Sequence, residues 1–209
     1  MSAFGYPVVL NLTGRSCLVV GGGAVALRKI AGLVEADARV TVVSPSLVPE
    51  LHRLATEAPL SWRPREYLAG DAAGFVLVMV ATDDRAVNAA VAAECRERGV
   101  WVNCADDPAR CDFILPSVFR RGAVTVAVST GGASPTMARL VREELDALLP
   151  GHVARLTEIM AEVRRALTEA GISLDADRWR RAVDGELRAL VATGRTAEAQ
   201  ARLRERLGA

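Results

Sequence analysis

The sequence predicts an α/β protein: a parallel sheet with helices on both faces, then a β-hairpin with a helix, then a small helical C-terminal region. Three observations predict it. Short β-branched runs alternate with helix-forming segments as far as residue 103, the pattern of parallel strands joined by crossover helices. The run 75–80 is apolar without interruption, as in a strand covered on both faces. Beyond 113 the pattern changes to two adjacent β runs, and then to sequence rich in Ala, Leu, Arg and Glu.

Taken in order, 1–15 reads as a lead-in, with Val8-Val9-Leu10-Asn11-Leu12 placed as an edge contact. A first strand at 16–20 runs into Gly21-Gly22-Gly23 and a helix over about 24–36. Arg39–Val43 is the second strand, rich in β-branched residues. Ser44-Pro45 ends it, and a helix over 46–57 follows. A third strand at 60–63, the apolar run 75–80, a helix over 84–98 and a fifth strand at 100–103 complete the sheet. Thr82 or Asp83 is the natural N-cap of the helix at 84. The β runs at 113–119 and 123–129 read as a hairpin turning at Arg120-Arg121-Gly122. A helix opens at Ser134-Pro135, proline suiting its first turn, and stops at Pro150-Gly151. Helices broken near Gly171 and Gly194 fill the remainder. The expected division is 1–113, 114–150 and 151–209.

Composition narrows the chemistry. Half of the chain is apolar but only 4% is aromatic, so Ala, Val and Leu must fill the core. A net charge of +1 gives no basic surface for nucleic acid. No uncharged apolar run is long enough to span a bilayer, and the N-terminus lacks a secretory signal pattern. A cytoplasmic protein with neither nucleic acid nor membrane as partner is expected. Cys17, Cys95, Cys104 and Cys111 show no zinc spacing, so the thiols read as reduced and no metal site is expected. Lys29 is the only lysine, and His52 and His152 are the only histidines. Neither Tyr6 nor Tyr67 has a lysine four residues on, which excludes a Tyr-x-x-x-Lys reductase. Carboxylates are left to move protons.

Three stretches carry the functional signal. Gly21-Gly22-Gly23-Ala24-Val25-Ala26 follows a strand and opens a helix, the context that makes G-x-G-x-x-G/A a dinucleotide-binding pattern. Gly21 permits the tight turn, Gly23 lets a pyrophosphate reach the backbone, and Ala26 lets helix pack on strand. Ser44-Pro45 stands where an acid usually holds the ribose, so NAD is favoured over NADP only by a serine. Thr82-Asp83 and Asn103 should meet the glycine turn where strand order reverses. The second stretch, Asn103–Phe113, holds Asp106 and Asp107: a tuned base, or an Asp-Pro turn. In the third, Ser129-Thr130-Gly131-Gly132, free N–H groups either hold an anionic substrate or simply cap a helix. Arg120 and Arg121 either pair with acidic substrate groups or point into water.

Jointly these stretches resemble the siroheme synthase dehydrogenase/chelatase family. The resemblance rests on residues 17–29, Val43-Ser44-Pro45, Ala81–Asp84, Val102–Asp106, Cys111–Ser117 and Ala127–Pro135. It implies a Rossmann domain, a dimerisation segment at 114–150 exchanged between two subunits, and a helical C-terminal domain. It further implies NAD-dependent oxidation of precorrin-2, a carboxylate-rich tetrapyrrole, with iron insertion in some members. It places the functional aspartate at Asp106; for so acidic a substrate, helix N-termini and arginines are the expected contacts, here Ser129–Gly132 and Arg120. The missing His or Lys base leaves a second reading open, a non-enzymatic NAD-sensing module whose helical tail binds a partner.

Overall fold

The computed structural model describes residues 4–105 and 107–208. In the first half the predicted alternation becomes β1 (Ser16–Val20), α1 (Ala24–Glu35), β2 (Arg39–Val43), α2 (Pro49–Glu57), β3 (Leu60–Arg63), β4 (Leu77–Val80), α3 (Arg85–Arg98) and β5 (Trp101–Cys104). All five strands run parallel, in the order β3-β2-β1-β4-β5. Side-chain alternation splits the core into two layers. Cys17, Val19, Val40, Val42, Leu77 and Met79 meet Ala26, Ile30, Leu33 and Leu51 from α1 and α2 on one face. Leu18, Val20, Val78, Val80 and Val102 meet Val91, Ala92 and Cys95 from α3 on the other. Strand order reverses between β1 and β4, so the loops after those strands border the crevice.

Several boundaries differ from expectation for local reasons. Segment 8–12 joins neither edge of the sheet, and Val8 and Val9 are exposed. α2 starts at Pro49 rather than 46, because Val48 N–H bonds Gly22 O at 2.9 Å and Val48 itself is extended. The apolar run enters the ladder only at Val76, whose N–H donates to Ser16 O, while Phe75 turns back to Ala72. α3 is capped by Asp84, which accepts from Ala86 and Val87 N–H, not by Thr82 or Asp83.

The crossover from β3 to β4 is closed by a carboxylate that sequence reading passed over. Asp71, 8% exposed, accepts from Arg63 Nη1, both terminal nitrogens of Arg65 and Leu68 N–H. The paired Arg65 guanidinium above all holds its carboxyl below the usual range. Because the folded value is the lower one, this stabilisation is complete above about pH 4 and is lost as pH falls through the folded value. Asp71→Ala leaves two cations facing a vacancy and is expected to cost about 2–4 kcal/mol. Urea unfolding at pH 7 checks this, and the gap between the two chains should shrink below pH 4.

A second compact unit begins at Pro116. β6 (Ser117–Arg121) and β7 (Val124–Val128) form an antiparallel pair. The turn is Gly122-Ala123 rather than Arg120-Arg121-Gly122, since Arg120 and Arg121 pair with Thr125 and Val124 inside the ladder. α4 (Pro135–Leu148) follows, then α5 (Val153–Glu169), α6 (Ala176–Ala182), α7 (Gly185–Ala192) and α8 (Thr196–Leu207). Leu156, Ile159, Val163 and Leu167 of α5, at helical spacing, pack with Leu187, Val191, Leu203 and Leu207. Besides the breaks at Gly171 and Gly194 there is one at Asp184, whose carboxylate caps α7 and binds Arg202 and Arg206.

Candidate functional site: the glycine turn and the end of the fifth strand

The three glycines have different tasks. Gly21 has φ +120°, and a Cβ there would stand 2.3 Å from Ala81 O, so the β1 and β4 loops touch backbone to backbone. A Cβ on Gly22 would stand 1.9 Å from Ser46 O. At Gly23 a Cβ would meet nothing within 4 Å. Gly23 is the N-cap of α1, with no side-chain cap and no acid in the first turn. Among the described residues, therefore, no side chain caps the first N–H groups of α1, those of Ala24 and Val25 included, which stand at the positive end of the helix dipole. A dinucleotide pyrophosphate fits this cradle.

The residues around it mostly brace the loops. Ser44 is buried, and its hydroxyl donates to Ser46 O at 2.7 Å, locking the turn beneath Gly22. Pro45 beside it is exposed. Thr82 Oγ1 accepts from Asp84 N–H and lies 2.8 Å from Asn88 Oδ1, while Asn88 Nδ2 donates back to Thr82 O. Asp83 is exposed beside them.

Asn103, 6% exposed, occupies the carboxyl end of β5. Its Oδ1 accepts from Lys29 Nζ and its Nδ2 donates to Phe113 O at 2.9 Å. Asp106, the carboxylate singled out from sequence, lies outside the described residues. Its neighbour Asp107 accepts from Arg110 Nε at 2.6 Å. Burial pushes the Cys104 thiol up to about 11 and Cys95 to about 12, so both stay protonated at neutral pH and supply no thiolate nucleophile. Among the described residues no group of three His, Cys, Asp or Glu side chains is placed to hold a metal ion. No helix among them is long and apolar enough to cross a membrane.

The other predicted contacts lie in the second unit. Thr130 Oγ1 accepts Ser134 N–H at 2.9 Å and bonds Ser134 O, Ser129 Oγ accepts Gly131 N–H, and Ser134 caps Met137. This is a built N-terminus of α4, with Gly132 exposed at φ +89°. Arg120 projects from β6, exposed. A hollow of about 900 Å³, lined by Met160, Leu167, Ile172, Leu174 and Trp179 among others, holds none of the predicted site residues. Sequence reading missed Lys29, Asn88 and Cys111 as site-building residues; the solitary lysine was the signal available for the first.

A family model for NAD(P)-binding domains matches residues 8–117, and one for the central part of the sirohaem biosynthesis protein matches 121–148. The chain belongs to the NAD(P)-binding family that the first of these models describes. Siroheme synthase of Methylococcus capsulatus is 41% identical over 196 residues, 93% of this chain and 41% of the relative. That of Nitrosomonas europaea is 42% identical over 209 residues, 96% of this chain and 43% of the relative. The chain thus spans about two-fifths of the length of these curated relatives. Among solved structures, SirC, a precorrin-2 dehydrogenase, superposes with a TM-score of 0.76 at 27% identity, covering 96% of this chain and 99% of that one. The glycine turn lies inside the segment that matches the NAD(P)-binding model.

Proposed function

We propose that the chain oxidises precorrin-2 to sirohydrochlorin with NAD⁺, releasing NADH and a proton. The observation that carries this is the likeness to a precorrin-2 dehydrogenase over 96% of this chain and 99% of that one, joined to a helix N-terminus with no side-chain cap and room for phosphate. Bound NAD⁺ supplies the hydride acceptor. Gly21 and Gly22 hold the β1 turn against the β4 and β2 loops, Gly23 leaves room for the pyrophosphate, and Asn103 orients groups at the end of β5. Asp106 takes the proton that leaves with the hydride. Ser129–Gly132 and Arg120 bind the carboxylates of the macrocycle. Iron insertion is the separate step of removing two pyrrole protons, and Asp106 is again the base at hand.

The test supplies precorrin-2 with NAD⁺ or NADP⁺ and follows reduced cofactor. Turnover with a lower KM for NAD⁺ is expected; folded protein that turns over neither overturns the reading. Sirohydrochlorin with Fe²⁺, with and without the protein, measures whether metal insertion rises above background.

A homodimer through the second unit belongs to this reading. β6 and β7 pair only with each other among the described strands, and α4 buries only Ala138 among its own residues. Met137, Leu140, Leu145 and Leu148 are between 39% and 76% exposed, a stripe that suits a second copy. Leu140→Glu with Leu148→Glu is expected to weaken self-association at least a hundredfold, about 3 kcal/mol. Light scattering on the eluting protein should show two chains for the parent and one for the variant. An unchanged mass removes this face as the interface.

A further inference from the structure

We propose that Lys29 is a positioning residue of the reaction centre, holding Asn103 from across the sheet. The proposal rests on the oxidation reading above. Lysine occurs once among the 26 Lys and Arg residues of the chain, at 29. That position lies in α1, the helix whose N-terminus forms the phosphate cradle, and it is half-buried.

Sheet register explains what Lys29 reaches. Val19 of β1 pairs with Met79 of β4, and Met79 pairs with Asn103 of β5. The three side chains form one row on the face that α1 covers, apolar at Val19 and Met79 and polar at Asn103. Two strand spacings, about 10 Å, separate the ends of the row. Lys29 Nζ nonetheless donates to Asn103 Oδ1. A four-carbon stem ending in a compact ammonium suits such a reach, whereas a guanidinium fork calls for partners in a plane.

The bond continues beyond Asn103. With Oδ1 accepting from Lys29 and Nδ2 donating to Phe113 O, the amide has one orientation. Asn103 Nδ2 also lies 3.7 Å from Cys111 Sγ. That sulfur accepts Cys104 N–H at 3.1 Å and lies 3.3 Å from the carbonyl oxygens of both Cys104 and Asp107. A continuous path therefore runs from α1 through Asn103 and Cys111 to Cys104 and Asp107, the residues on either side of the stretch that carries Asp106. The charge reaches this stretch too: Lys29 offsets part of the rise that burial imposes on the Cys104 and Cys111 thiols. Lys29 thus ties the helix that holds the cofactor to the loop that bears the acid, fixing one relative to the other, and a misplacement on the ångström scale costs about a hundredfold in such transfers.

Lys29→Met keeps the stem and removes the donors, and Lys29→Arg restores a cation. The Met variant is expected to lower kcat for precorrin-2 oxidation about 10- to 100-fold, with KM for NAD⁺ within about threefold of the parent, while the unpaired Asn103 Oδ1 lowers the thermal midpoint by only a few degrees. The Arg variant recovers part of the loss. Lys29→Met combined with Asn103→Ala should be no slower than Asn103→Ala alone, because the two act as a unit. A Met variant with parental kcat, or losses that multiply, overturns the proposal. A readout independent of turnover separates its failure from that of the oxidation reading. ¹⁵N-lysine labelling gives a single side-chain ammonium signal, which Asn103→Ala should shift in the cofactor-free protein. An unshifted signal rejects the Lys29–Asn103 link, whereas a shifted signal in a parent that does not oxidise precorrin-2 rejects the oxidation reading alone.

Discussion

Replacing Gly23 with alanine is expected to weaken NAD⁺ binding at least tenfold, about 1.4 kcal/mol, while the protein stays folded. The backbone at Gly23, φ −88° and ψ −172°, is one that alanine adopts without strain. A Cβ there meets nothing of the protein within 4 Å, so what it displaces is the pyrophosphate that needs the bare backbone. As an N-cap, alanine is poorer than glycine by some tenths of a kcal/mol, about 1–2 °C in thermal midpoint for a chain of this length. Gly21→Ala and Gly22→Ala should behave in the opposite way. Their new methyls would stand 2.3 Å from Ala81 O and 1.9 Å from Ser46 O, and neither oxygen can retreat without moving a loop. Each is expected to destabilise the first unit by about 3 kcal/mol or more. Calorimetric titration with NAD⁺ alongside thermal melts separates the two classes. A Gly23→Ala chain that binds NAD⁺ as tightly as the parent would remove the cradle from the account.

Asp106→Asn is expected to lower kcat for precorrin-2 oxidation by about 10²–10⁴, the usual contribution of a positioned base. The amide keeps the size of the side chain and cannot take the proton. Affinity for NAD⁺ and the thermal midpoint should stay close to those of the parent, since the cradle proposed for the phosphates lies at Gly21, Gly22 and Gly23. Single-turnover kinetics with precorrin-2 at saturating NAD⁺ reads the effect directly. A variant that turns over at the parental rate would transfer the base role to another group.

Much of the first unit was legible because a buried parallel strand leaves a strong mark. Leu18-Val19-Val20 and Leu77–Val80 are apolar on both sides and lie between two helical layers. The glycine turn was equally plain, since backbone approach at Gly21 and Gly22 forbids other residues. What sequence could not convey was where polar side chains point. Ser44 reads as a ribose ligand from its place after β2, yet it faces inward onto Ser46 O. Thr82 and Asp83 compete with Asp84 for one cap, and the turn geometry that decides among them is not local to any one residue. Asp71 gathers Arg63, Arg65 and Leu68 N–H within nine residues, but no periodicity announces a carboxylate in a crossover. The Lys29–Asn103 bond joins residues 74 positions apart and follows only from strand order, which a single sequence does not display. The hairpin turn starts two residues later for a simpler reason: arginines are tolerated in a ladder whose outer side is wet.

The central claim is that hydride and proton leave precorrin-2 together, the hydride to NAD⁺ held at the α1 terminus. It is tested most directly by anaerobic stoichiometry. Purified protein given precorrin-2 and excess NAD⁺ should form one NADH for each sirohydrochlorin, and neither product should form when NAD⁺ is withheld. Sirohydrochlorin appearing at the same rate without NAD⁺, or no NADH from a protein that binds both ligands, would contradict it.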